Sequence, residues 1–327
     1  MKSFTLDELV YEGLKSQPGK RIAGRELGVW IFTHYREWCE AKRQRSKATI
    51  SPLDTDEKLI NQIAGEIGAR HSTTLKKYPT LKTAGTKPRR FYFSEQTDEQ
   101  ELAQAEAVTT PSPVDDPTAP AAPQLRLLEK DLYPLLAQYL IDELKVWSLR
   151  IDETKSSNRQ GPSGNKWLFP DLVGLEDLTK DWSESVLDCV ATQAVPRTKL
   201  WSFEVKLVIN RSNVREVFFQ AVSNSSWANL AYLVASQING DETMQELQRL
   251  SSLHGVGVLL LNTEVPADSY LEIPALERTN VDWNTASRIA KENPDFNRYI
   301  ELITKYYKLG DKNRLDERDW LACPMAP

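Results

Sequence analysis

A chain of 327 residues, 40% apolar and 27% charged, is ordinary globular material of a length that suggests two domains. It has no apolar run long enough to cross a bilayer, and its first residues, MKSFTLDELVYEG, are too acidic for a secretory signal. Cys39, Cys189 and Cys323 are too scattered for a disulfide framework or a zinc site, so a cytoplasmic, reducing setting is expected.

The net charge of −5 is unevenly spread. Residues 1–94 hold 18 Lys and Arg against 10 Asp and Glu, whereas residues 95–124 hold 7 acids and no base. A basic front on an acidic chain points to a polyanion partner. With only His34, His71 and His254 available, a catalytic metal would have to take oxygen ligands, which favours magnesium, manganese or calcium.

The front of the chain reads as three helices and a hairpin. In TLDELVYEGLKS, Leu6, Leu9, Val10 and Leu14 recur at helical spacing behind Thr5 or Ser3 as a cap. A second helix is expected over 23–36, with Leu27, Trp30, Ile31 and Tyr35 apolar, followed by a charged loop, EAKRQRSKATISPL. DTDEKLINQIAGEIGARH reads as a capped helix burying Leu59, Ile60, Ile63 and Ile67. LKKYPTLKTAGTKPRRFYF reads as two short strands around a glycine-containing turn. That order predicts a winged helix-turn-helix over 1–95, with 55–68 as its recognition helix. From Arg70 to Ser94 there are seven bases and no acid. Lys76, Lys77, Lys82, Lys87, Arg89 and Arg90 are interleaved with aromatic residues, which suits phosphate contact with DNA. The plainer alternative is a solvated basic hairpin, or one that docks a protein.

Residues 96–124 contain five prolines, several acids and no aromatic residue, and read as a flexible, partly extended linker. A second domain is expected over 125–327. It opens with a helix striped by Leu128, Leu132, Leu135, Leu136, Tyr139 and Leu140, in which Pro134 fits only the first turn. Strands follow at KVWSLRIDET, at FPDLVGLED and at 199–208. A helix is then expected over 212–230, a strand at YLVASQI, a helix at 242–252, the buried strand GVGVLLLN and a helical tail from Asp282 to Leu309. This order demands a mixed sheet flanked by helices, an α/β domain.

In LWSFEVKLVIN, Trp201, Phe203, Val205 and Leu207 alternate with Ser202, Glu204 and Lys206, so Glu204 and Lys206 share one face. If the second and third strands are neighbours, Asp171 meets them there. Two carboxylates one strand apart hold a divalent cation through oxygen, and a cation there offsets charge building on phosphorus. Lys206 on the same face can orient or deprotonate an attacking water, and burial beside a metal would lower its pKa towards a base role. Ser212 or Asn213 is positioned to cap the next helix. Arg211 and Arg215, one turn apart, are candidate backbone contacts, as are Arg159 and Lys166 in the polar loop before Asp171. Their plainer alternative is solvated charge.

Pro170-Asp171 followed by Glu204-Val205-Lys206 resembles the PD-(D/E)XK nuclease signature, and the expected helix–three strands–helix–strand core matches that superfamily. The whole chain is also similar to a bacterial family that joins a HARE-type winged helix to a restriction-endonuclease-like domain. KSSNRQGPSGNKWLFPDLVG, LWSFEVKL and NRSNVREVFFQAVSNSSWAN carry that resemblance. It implies a magnesium-dependent DNA endonuclease, with manganese as a substitute, in restriction or phage defence alongside partner proteins. It also implies that Glu129 on the first helix supports the metal and that Gln220 on the helix after Lys206 supports the site. Double-strand cutting would call for two sites, hence a homodimer. The alternative reading is a DNA-binding regulator or interaction module with a catalytically silent nuclease fold.

Overall fold

The computed structural model describes residues 4–46, 52–85, 88–106, 127–157, 167–193, 195–308 and 317–320. The chain divides into two compact units, the first comprising Met1–Glu101 with Ile238–Asp241, the second Leu102–Gln237 with Glu242–Pro327. Both are mixed α/β. Among the described residues no helix is long and apolar enough to cross a membrane.

In the first unit, α1 (Leu6–Lys15) starts on a capping box: the Glu8 amide donates to Thr5 Oγ1 at 3.4 Å and the Thr5 amide to Glu8 Oε2 at 2.8 Å. Its apolar stripe, Leu6, Leu9, Val10 and Leu14, packs with Leu27 and Ile31 of α2 (Gly24–His34) and Leu59, Ile63 and Ile67 of α4 (Asp56–Lys77). The expected loop after α2 is helical over Arg36–Arg45 (α3). Only Cys39 of that helix is buried, and its bases bind acids of α4: Lys42 to Glu66 at 2.7 Å and Arg43 to Asp56 at 2.5 Å. The short strand β1 (Ile22–Ala23) pairs with β3 (Arg90–Phe93), which pairs with β2 (Leu81–Ala84), all antiparallel. Leu81, Phe91 and Phe93 turn inward.

The expected linker is not extended throughout. Asp98–Glu106 form a helix, α5, and its acids reach the hairpin: Lys82 Nζ lies 2.8 Å from Asp98 and 3.0 Å from Glu101, and the Tyr92 hydroxyl donates to Glu101 at 3.0 Å. Opposite charge gathers the helix onto the strand pair where composition alone predicts chain without structure. The remainder of the linker expectation, 107–124, lies outside the described residues.

The second unit is built on a six-stranded mixed sheet whose spatial order, β4-β5-β6-β7-β8-β9, follows the chain. These strands are β4 (Val146–Arg150), β5 (Leu172–Asp177), β6 (Thr198–Ile209), β7 (Leu230–Ile238), β8 (Gly257–Leu260) and β9 (Tyr270–Ile273). β4–β5, β5–β6 and β8–β9 are antiparallel; β7–β8 is parallel. On one face lies α6 (Glu129–Asp142), with Leu132, Leu136 and Leu140 against Phe203, Val205, Tyr232 and Val234. The other face carries Leu149, Val173, Leu175 and Leu200 against α10 (Trp283–Glu292) and α11 (Pro294–Lys308). Gly174 of β5 is where β4 and β6 close in. A Cβ there would lie 2.6 Å from Val146 Cγ1 and 3.1 Å from Trp201 Cβ.

Several expectations need correction. A helix, α7 (Glu184–Thr192), intervenes between β5 and β6, and β9 adds an edge strand. The helix after β6, α8 (Val214–Ser223), stops seven residues short of the expected 230. Pro134 stands in the second turn of α6 rather than the first, because the helix already starts at Glu129. The remaining long helix, α9 (Asp241–His254), precedes β8.

Candidate functional site

At one end of β5 and β6, four charged side chains converge. Asp171 is placed by its backbone: its amide donates to the Phe203 carbonyl at 3.0 Å and its carbonyl accepts from the Ile151 amide at 3.0 Å, which locks it between β4 and β6 just before β5 begins. Its carboxylate turns towards β6, where Oδ2 accepts from the Val205 amide at 2.8 Å. Glu204 and Lys206 share the face opposite Val205, as strand alternation requires. Lys206 Nζ donates to Glu204 Oε1 at 2.8 Å and lies 3.8 Å from Asp171 Oδ2 and 3.9 Å from Glu129 Oε2. Glu129 arrives at the first position of α6. The structure thus brings together Asp171, Glu204, Lys206 and Glu129.

Burial makes this cluster electrostatically tense. Glu204 is 5% exposed, and that burial, then the Asp171 charge, pushes its carboxyl up to about 8 against the opposing Lys206 and Asn224. Partial burial, followed by repulsion from Asp171, also raises Glu129, which Lys206 and the Tyr133 hydroxyl oppose. Lys206 is set by its three carboxylate neighbours. Burial does act downward on it, but Asp171, Glu204 and Glu129 outweigh burial, hold the ammonium charged and raise it.

Gln220 is buried on α8, and its Oε1 has no hydrogen-bond partner among the described residues. At the C-terminal cap of that helix, Asn224 bonds directly to the acid pair's surroundings. Its Nδ2 donates to Glu204 Oε2 at 3.0 Å and to the Phe169 carbonyl at 2.8 Å, so one amide pins the glutamate to the segment leading into Asp171. Two further residues escaped the sequence reading. The Tyr133 hydroxyl lies 3.2 Å from both Glu129 Oε1 and Asp171 Oδ1, and Arg150 Nη1 lies 3.2 Å from Asp171 Oδ1. The only sequence signal for Tyr133 is its spacing of one turn from Glu129. Arg150, at the end of an apolar strand, carries no motif.

Asp171, Glu204 and Glu129 are the carboxylates that converge here. Among the described residues no group of three His, Cys, Asp or Glu is placed to hold a metal ion, and the Lys206 ammonium lies between the carboxylates.

The expected nucleic-acid contacts divide. Lys76 and Lys77 are exposed in the last turn of α4, with Lys77 Nζ 5.2 Å from the Tyr78 ring centre. Arg90 is exposed and donates to the Arg21 carbonyl at 3.4 Å. Lys82 is engaged by Asp98 and Glu101, and Arg89 pairs at 3.1 Å with Asp241 of the same unit, so their charges are already met. In the second unit Arg211 and Arg215 face acids of α9, Glu242 at 2.9 Å and Glu246 at 2.7 Å. Asn213 takes the cap position of α8, but its side chain serves the preceding turn: Oδ1 accepts from the Asn210 amide and Nδ2 donates to the Val208 carbonyl. Lys87, Arg159 and Lys166 lie outside the described residues. Comparison with known proteins finds no family model, no curated protein and no solved structure that matches this chain.

Proposed function

We propose that the chain is a divalent-cation-dependent DNA endonuclease, in which the second unit is a PD-(D/E)XK-type domain that hydrolyses a phosphodiester and the first unit is a winged helix that binds or senses DNA. The observation that carries this proposal is the convergence of Asp171, Glu204, Glu129 and Lys206 within 3.9 Å of one ammonium at the end of a buried strand pair. Three carboxylates gathered this closely are costly without a compensating charge. The donors are all oxygen, and Glu204 is held up to about 8 by burial and by its acidic neighbour, so a hard cation such as magnesium or manganese fits both the chemistry and the charge.

When bound, such a cation supplies Lewis-acid polarisation of the phosphodiester. Asp171, Glu204 and Glu129 would hold it. The protein's own residues do the rest. Lys206 stabilises negative charge on a phosphate oxygen and orients the attacking water or takes its proton. Asn224 keeps Glu204 turned to the site. Dimerisation, partner proteins and a role in phage defence belong to this proposal as its biological setting.

The test is cleavage of supercoiled plasmid and linear duplex with magnesium or manganese. Cutting is expected to stop with EDTA and to fall at least a hundredfold in Asp171→Ala and in Lys206→Ala, in line with the cost of removing a single transition-state contact, about 10²–10³. Metal-dependent cutting that survives both substitutions would place the chemistry elsewhere. A second reading draws on the internal pairing of Lys82 and Arg89: a first unit that docks a protein. It is favoured if purified protein fails to bind duplex DNA at any salt concentration.

A further inference from the structure

Arg150 ends β4 with one guanidinium nitrogen, Nη1, engaged around Asp171. Nη1 donates to the carbonyls of Ile151 and Asp171, both at 2.5 Å, and lies 3.2 Å from Asp171 Oδ1. The guanidinium carbon lies 4.0 Å from the centre of the Tyr133 ring. The Tyr133 hydroxyl has one proton to donate and lies 3.2 Å from each of two acceptors, Glu129 Oε1 and Asp171 Oδ1. Arginine stacked on tyrosine therefore braces tyrosine between two carboxylates that arrive from different elements, α6 and the approach to β5.

Coulomb's law makes this placement odd for a residue beside a cation site. A fixed positive charge 3.2 Å from a metal-binding oxygen repels the ion that oxygen would bind. A bystander arginine would weaken the site. One that fixes the carboxylate's orientation can strengthen it, because a ligand held in place loses less freedom when it binds.

We propose that Arg150 and Tyr133 are positioning residues that orient the Asp171 and Glu129 carboxylates for a divalent cation, Arg150 acting through the hydrogen bonds of Nη1 and through its ring contact, not through its charge. This rests on the reading of Asp171 as a metal ligand. The full chain and its Asp171→Asn, Tyr133→Phe, Arg150→Gln and Arg150→Lys variants are titrated with manganese, and free ion is read from its electron paramagnetic resonance signal. Thermal melts on the same samples check folding.

Tyr133→Phe, Arg150→Gln and Arg150→Lys are each expected to weaken manganese binding about tenfold, the low end for loss of a group that orients a metal ligand. The sign of the Arg150→Gln effect is decisive. A role through charge alone predicts tighter binding once the positive charge is gone, and tighter or unchanged binding would overturn the proposal. Retained affinity in Arg150→Lys would do the same, because lysine keeps the charge and loses the planar group that lies over the Tyr133 ring. Should the Arg150 variants fail to fold, Tyr133→Phe decides alone, and wild-type affinity there refutes the proposal. If wild type and Asp171→Asn bind manganese equally, the metal-ligand reading fails and this proposal falls with it. If Asp171→Asn loses binding while Tyr133→Phe and Arg150→Gln do not, only the positioning roles fail.

Discussion

Glu204 and Lys206 illustrate how a two-residue period becomes chemistry. Strand alternation alone puts them on one face, and Asp171 reaches them because its backbone bonds to Phe203, next to Glu204. A carboxyl raised by burial takes up its proton in the folded chain at a higher pH than in the unfolded chain. Between its ordinary value of 4.5 and about 8, folded Glu204 binds more proton than unfolded Glu204, so it lowers stability as pH rises through that window. Lys206, raised above its ordinary value of 10.5, stays charged in both states there and adds no slope. In EDTA, wild type should therefore lose melting temperature between pH 5 and pH 8 more steeply than Glu204→Gln; parallel slopes would contradict the buried, protonatable carboxyl. Asn224→Ala should cost about 1–3 kcal/mol, because it strands Glu204 Oε2 and the Phe169 carbonyl without a donor, and denaturant unfolding would measure it. The acid pair and the lysine were legible from alternation and from Pro170. Asn224, Tyr133 and Arg150 were not, since the contact that ties each to Glu204 or Asp171 is with a residue far off in sequence, 20, 38 and 21 residues away.

Among elements, those with apolar periodicity were read well and those without it were not. α1, α4 and α6 show their buried stripes in the sequence, and β6 shows its alternation. α3 and α5 are rich in Glu, Gln, Lys, Arg and Ala, which are good helix formers, yet they bury almost nothing. Their charge suggested loop and linker, and partners elsewhere in the fold, Glu66 and Asp56 for one and Lys82 for the other, decide the outcome. α6 has the opposite character, with a stripe that also aims Glu129 into the site. Leu136, fully buried against the sheet, should cost about 2–5 kcal/mol when cut to alanine. Should α6 be what carries Glu129 to the site, this variant also binds manganese more weakly once enough denaturant is present to loosen the helix. Unchanged unfolding midpoints would contradict the packing.

At the scale of the whole molecule, the proposed function puts binding and chemistry in separate units, so the two should separate by mutation. Lys76→Ala with Lys77→Ala should weaken duplex binding about equally across sequences and reduce the salt slope by about one per lost phosphate contact. Asp171→Ala should leave that binding in place. Gel-shift titrations across a salt series would check both, and a salt slope unaltered by the lysine pair would move the interface off α4. The same titration should show little effect from Lys82→Ala on affinity, because that ammonium is already spent on Asp98 and Glu101.

The strands of the large sheet lie in space in the order in which they occur along the chain. Each new strand finds its neighbour already beside it, so strand pairing can grow from one end, while the face that packs on α10 and α11 is covered only when those later helices arrive. Short loops close at less entropic cost than long ones, and topologies of this kind fold faster than those that thread late strands between early ones. The residues that converge on Lys206 all come from the first three strands and the helices around them. During synthesis that end of the sheet emerges first and can pair before β8 and β9 exist. The chain would then assemble its charged cluster early and close the far edge of the sheet last.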